Sequence, residues 1–174
     1  YNKRASAYQP DDIFMNFTTN HDENSWNGTA IERYGKGVKT FAALTFILPG
    51  MPLLYSGQEA GINKRLDFFG KDTIIWENNE FESFYKKLIE IRTNNKALWS
   101  SVKGGDMVKL ENNAADQIYS FVRSKDEQKV IGIFNLSAKE KTVIIQCKEY
   151  AGTYVNAMNN KEVKLGENTE MKLN

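Results

Sequence analysis

Two short, mostly apolar runs, residues 13–17 and 51–55, are each followed by a helical pattern within the first 98 residues. This alternation constrains the fold more than any other feature of the chain, because strand–helix–strand–helix is the repeat unit of parallel α/β folds. Apolar runs of this kind suit parallel strands covered on both faces. Two parallel strands alone leave an unpaired edge on each side, so hydrogen-bond accounting predicts that the sheet needs further strands.

Between the runs, a polar stretch over 18–28 leads to Thr29 and Glu32, which are spaced as a capping box. Tyr34, Val38, Phe41, Ala42, Thr45 and Leu48 then recur at helical spacing, and Pro49-Gly50 ends the helix. Phe81, Phe84, Tyr85, Leu88 and Ile91 mark a second amphipathic helix. From Trp99 onward the period changes. Residues 117–123, 129–136 and 142–147 are short β-prone segments, with 152–157 and 169–173 as two more. Their even spacing predicts an antiparallel β-sandwich. The reading is therefore α/β plus all-β, with a first part over 1–98 and a second over 99–174. The lone cysteine, Cys147, excludes an intrachain disulfide and is expected as a half-buried strand residue.

Lysine and arginine total 23 against 22 acids, with no basic stripe, which argues against nucleic acid as a partner. No run approaches the ~20 apolar residues of a membrane span, so no membrane partner is expected. The chain opens at Tyr1 without an initiator methionine, so upstream sequence is expected and the compartment stays open.

In parallel α/β folds, catalytic groups gather in the loops after the strands. The first such loop holds Asn20, His21, Asp22, Glu23 and Asn24, with Trp26 close by. Charged and amide groups can bind sugar hydroxyls, and a flat indole can cover a sugar face. A satisfied histidine among solvated acids is the competing reading of the same residues. A zinc site would need more ligands, and no Gly-x-Ser-x-Gly nucleophile elbow occurs.

The segment from Phe17 to Asp22, a phenylalanine, two residues and Asn-His-Asp, is similar to the fourth signature region of the α-amylase family (glycoside hydrolase family 13). The stretch over 50–59 resembles that family's last barrel strand, and 84–92 followed by Ala97-Leu98 resembles its final helix. Residues 129–136, running into Ser137, resemble the core strand of its C-terminal domain. All four lie in the family's order. The resemblance implies strands seven and eight of a (β/α)8 TIM barrel, then a β-sandwich. It also implies retaining cleavage of α-1,4-glucosidic bonds, which takes a nucleophile and an acid/base carboxyl about 5 Å apart.

By position in the motif, Asp22 matches the family's third carboxylate, the transition-state stabiliser, and His21 its sugar-hydroxyl donor. Asn20, Trp26 and Arg65 are the other expected substrate-binding residues. The family's nucleophile and acid/base would precede Tyr1, so this chain alone is expected to be inactive. Glu23 and Glu59 have no place in those two roles, and Glu59 is expected to be structural. Trp76 and Trp99 are also expected to be structural, Trp99 sealing the junction. No metal or other cofactor is expected here, since the family's calcium ligands come from earlier strands and an inserted domain. The expected partners are an α-glucan and the missing N-terminal part of the barrel, with self-association through the exposed barrel edge. A non-catalytic glucan-binding or stabilising module, a transglycosylase and a cyclomaltodextrinase are the alternatives.

Overall fold

The structure, a computed structural model, describes residues 9, 11–77 and 80–174. Strand β1 (Met15–Asn16) pairs in parallel with β2 (Met51–Pro52), Met15 opposite Met51 and Asn16 opposite Pro52. Flanking bonds run from the Met51 amide to the Phe14 carbonyl at 2.7 Å and from Leu53 to Asn16 at 2.8 Å. Both strands are shorter than the runs 13–17 and 51–55 that mark them. Pro52 has no amide to give a further neighbour, and each strand has a single partner among the described residues. Met15 and Met51 stand about half exposed along this edge, at 50% and 46%.

The crossover begins at the expected capping box. Thr29 Oγ1 accepts the Glu32 amide at 3.0 Å, and Glu32 Oε2 accepts the Thr29 amide at 2.8 Å. Helix α1 (Ala30–Tyr34) then gives way to a tight 3₁₀ turn over Gly35–Gly37 before α2 (Val38–Ile47). The break falls on Gly-Lys-Gly, where Gly35 has φ +51° and the two glycines lower helix propensity. After α2 the chain swings into β2 at Gly50, with φ +118°, where a Cβ would stand 2.5 Å from the Phe14 carbonyl. Only glycine fits that approach. Helix α3 (Glu80–Asn94) packs on α2 through Ala42, Phe46, Tyr85 and Leu88, all buried.

From β3 (Asp106–Lys109) onward the structure is antiparallel. A three-stranded sheet joins β3 to β4 (Ile118–Lys125) and β4 to β5 (Gln128–Asn135). A second pair joins β6 (Lys141–Gln146) to β9 (Asn168–Leu173), and a third joins β7 (Gly152–Val155) to β8 (Glu162–Leu165). Ile118 and Val122 of β4 face Val143 and Ile145 of β6 in a core that also takes Leu110, Cys147 and Leu165. Each such side chain contributes about 1.5–3 kcal/mol on burial.

Strands β3 and β8 are short and rich in charge, which hides them from a hydrophobic pattern. Cys147 departs from its expectation. It sits just past β6 and is fully buried, because its thiol belongs to the core, and burial pushes its pKa up.

The opposite face of β4 carries Phe121 and Arg123, also buried, and turns toward the helices. Arg123 Nη1 donates to the carbonyls of Ile47, Leu48 and Leu98 at 3.2, 3.4 and 3.2 Å. Its Nη2 donates to those of Trp99 and Gly105 at 2.9 and 3.1 Å. Arg92 of α3 donates to the carbonyls of Phe46 and Gly50 and to Ser100 Oγ. A helix leaves its last carbonyls without intrahelical partners, and here two arginines cover those of α2. Trp99 lies at the same junction, its indole donating to the Thr93 carbonyl at 3.2 Å. Trp76, expected to be structural, is 62% exposed, because residues 71–77 form no regular element that could cover it.

Candidate functional site

The loop after β1 rests on a polar base. Thr18, Thr19, Asn24, Thr29 and Gln58 are all buried beneath it. Gln58 Nε2 donates to Thr18 Oγ1 at 2.8 Å and to the Tyr85 phenol at 3.0 Å, while its Oε1 accepts the Tyr55 amide at 2.7 Å. One amide thereby joins the ends of both parallel strands to α3. Burial pushes the Tyr85 phenol up to about 12, with the Glu59 carboxylate adding to the effect and the Gln58 bond opposing it. Glu59 Oε2 and Thr19 Oγ1 are buried without a hydrogen-bond partner among the described residues.

Above this base, Asn20 Oδ1 accepts the Glu23 amide at 2.8 Å, starting a π-helical turn over Glu23–Asn27. The turn lifts His21 and Asp22 outward. Their side chains are 66% and 59% exposed, with His21 Nε2 3.5 Å from Asp22 Oδ2. Glu23 is held by Arg33 Nη1 at 2.7 Å, which also donates to the Thr18 carbonyl. The local sequence thus divides its acids. Glu23 ties the loop to α1, and Asp22 keeps an open carboxylate.

The loop after β2 is fastened onto the first. Asn24 Oδ1 accepts the Leu66 amide at 2.7 Å, and Ser25 Oγ donates to the Leu66 carbonyl at 2.8 Å. Thr29 Oγ1 donates to Asn63 Oδ1 at 2.6 Å. Arg65 Nε pairs with Glu32 Oε2 at 3.0 Å, beside the capping box. The Thr29 amide first, and Arg65 second, hold the Glu32 carboxyl below its usual range. Arg65 therefore lies in the neighbouring loop, bonded to α1, and half exposed.

Farther along, Asp67 Oδ1 accepts the amides of Phe69 and Gly70, both at 3.0 Å, and Asp72 pairs with Lys64. This wrapping brings Phe68 beside His21, ring centres 5.9 Å apart, and beside Trp26 at 5.4 Å. His21, Asp22 and Trp26 therefore share one exposed surface, with Asn20 half-buried beside them and Arg65 on the adjoining loop. Phe68 and Phe69 also shape this surface without having been singled out in the sequence. The Phe-Phe pair, flanked by Asp67 and Gly70, was the one available signal. An apolar cavity of about 360 Å³ lies elsewhere, between Ile47 and Ile91 of the helices and Ile131 and Ile133 of β5. Among the described residues no three His, Cys, Asp or Glu side chains gather as a metal site would need.

Residues 110–173 match the model of the alpha amylase C-terminal all-beta domain. The chain is 28% identical over 137 residues to the alpha-amylase MalA of Haloarcula japonica, covering 75% of this chain and 19% of that protein. It is 31% identical over 130 residues to neopullulanase 2 of Thermoactinomyces vulgaris, covering 71% of this chain and 21% of the relative. Thus the chain spans about a fifth of the length of these curated relatives. Its fold matches part of the maltogenic alpha-amylase AmyB from Thermotoga neapolitana at a TM-score of 0.82 and 20% identity, over 98% of this chain and 41% of that one. A cyclomaltodextrin glucanotransferase, CldA, matches at a TM-score of 0.77 and 17% identity, over 99% of this chain and 36% of its own.

Proposed function

We propose that the chain is the C-terminal portion of a retaining α-glucan hydrolase, since residues 110–173 match the model of the alpha amylase C-terminal all-beta domain. On this reading β1 and β2 are strands seven and eight of a (β/α)8 barrel, and the open edge beside Met15 is where the preceding strand pairs. The observation that carries the reading is the parallel β1–β2 pair with Asn20-His21-Asp22 projecting from the end of β1. Alpha-glucan enzymes among the relatives support it, as do the solved structures that share the fold.

In this mechanism Asp22 holds hydroxyls of the sugar under attack and stabilises the oxocarbenium-like transition state, where positive charge develops. His21 and Asn20 bind hydroxyls of the same ring, while Trp26 stacks on the sugar chain beside it and Arg65 lines a neighbouring position. The nucleophile and the acid/base come from earlier strands. Consequently the 174-residue chain alone releases no reducing sugar from starch.

The test uses the protein encoded by the full reading frame. Asp22→Asn should lower kcat on soluble starch about a hundredfold or more, the scale of losing a transition-state contact. Unchanged turnover in that variant, or turnover by the 174-residue chain alone, would defeat the proposal. The relatives include a neopullulanase and a branching enzyme, so product analysis on the same protein separates hydrolysis from glycosyl transfer.

A further inference from the structure

The loop after β2 carries two phenylalanines that its own hydrogen bonds hold outward. Phe69 is 86% exposed, Trp26 58% and Phe68 38%. Exposed aromatic side chains are ordinarily scattered, whereas these three touch one another. Ring centres lie 5.4 Å apart for Trp26 and Phe68, 6.2 Å for Trp26 and Phe69, and 4.8 Å for the two phenylalanines. Phe68 also stacks on the His21 imidazole, with the ring planes 27° apart. The cluster therefore continues directly into the His21–Asp22 pair.

We propose that Trp26, Phe68 and Phe69 form one aromatic wall that takes the C–H face of a glucose unit in an α-glucan, next to the unit held by His21 and Asp22. The inference rests on the function proposed above and adds to it two substrate-contacting residues from a second loop. The chemistry of the surface selects the occupant. A ring-faced wall with an open carboxylate and imidazole at its rim suits a ligand that is apolar on its faces and hydroxylated around its edge. A purely apolar partner would leave Asp22 buried and unpaired, which is costly.

The wall is also preformed. Asn24 and Ser25 pin Leu66, and Asp67 accepts the Phe69 amide, so little side-chain or loop freedom is lost on binding. Asn24, 2% exposed, is accordingly a positioning residue for the wall.

Amide and indole proton–nitrogen spectra of the 174-residue chain, titrated with maltoheptaose, test the proposal. Cellohexaose serves as the control. The expected result is that the Trp26 indole and the Phe68 and Phe69 amides shift together with His21 and Asp22 under maltoheptaose. Phe69→Ala, at a position too exposed to disturb folding, should weaken apparent affinity about threefold to tenfold. If His21 and Asp22 shift but Phe69→Ala titrates like the parent, the wall is overturned and the glucan reading stands. If no resonance responds to maltoheptaose, both fall. If Phe69→Ala abolishes self-association in sedimentation while leaving the titration unchanged, the patch serves a second copy of the chain and the wall is again overturned.

Discussion

Asp72 accepts hydrogen bonds from Lys64 and from the amides of Asp67 and Thr73, and these hold its carboxyl at about 2 against an ordinary 3.8. Lys64 is the largest of the three causes. A depressed carboxylate stabilises the folded loop above its unfolded pKa and loses that effect as pH falls through its folded one. The loop carrying Phe68 and Phe69 should therefore stay wrapped down to about pH 4 and loosen between 3.8 and about 2. Carbon-detected titration of the Asp72 carboxyl checks this. Lys64→Met should move the midpoint upward toward the ordinary value, and an unmoved midpoint would show that the backbone amides alone set it. Glu23 and Asp22 show how residue type underdetermines role. They are adjacent acids, yet one is closed onto Arg33 and the other stays open. What separates them is the π-helical turn, which no spacing rule announces.

Among the elements, α1 begins with a reciprocal cap that also carries the second loop, since Thr29 bonds Glu32 on one side and Asn63 on the other. Thr29→Ala should cost about 1–2 kcal/mol in urea unfolding, and Thr29→Ser should restore most of it. The cap was legible in the sequence because it is local, two side chains three residues apart. So were the helices and the strands β4, β5, β6 and β9, where periodic apolar residues fill a core. Strands β3 and β8 were not, because Asp106–Lys109 and Glu162–Leu165 are short and half charged, with too few apolar positions to show a period. Distance in sequence hid the aromatic wall. His21 and Phe68 meet only because Asn24 reaches the backbone at Leu66, a tertiary contact with no local pattern. Trp76, expected to be structural, is exposed among the described residues.

At the level of the whole molecule, the helices and the sheets are joined through the end of α2. Arg92 arrives from α3 and Arg123 from β4, and between them they cover the carbonyls of Phe46, Ile47, Leu48 and Gly50. Burial pushes the Arg92 guanidinium down from its ordinary value, the sign of a cation kept from water. Arg123→Met should destabilise the chain by about 3 kcal/mol or more in urea unfolding, because several buried acceptors lose a charged donor at once. Arg123→Lys should rescue little, since one ammonium cannot reproduce a planar fork of donors. An Arg123→Met chain as stable as the parent would remove this junction from the account. For the history of such genes, the consequence is that a recombination point between residues 98 and 99 is a poor one. It would part an arginine from the helix end that it serves. Crossovers that exchange the β domain among relatives should survive where both halves inherit that match, so the two positions are expected to travel together as one heritable unit.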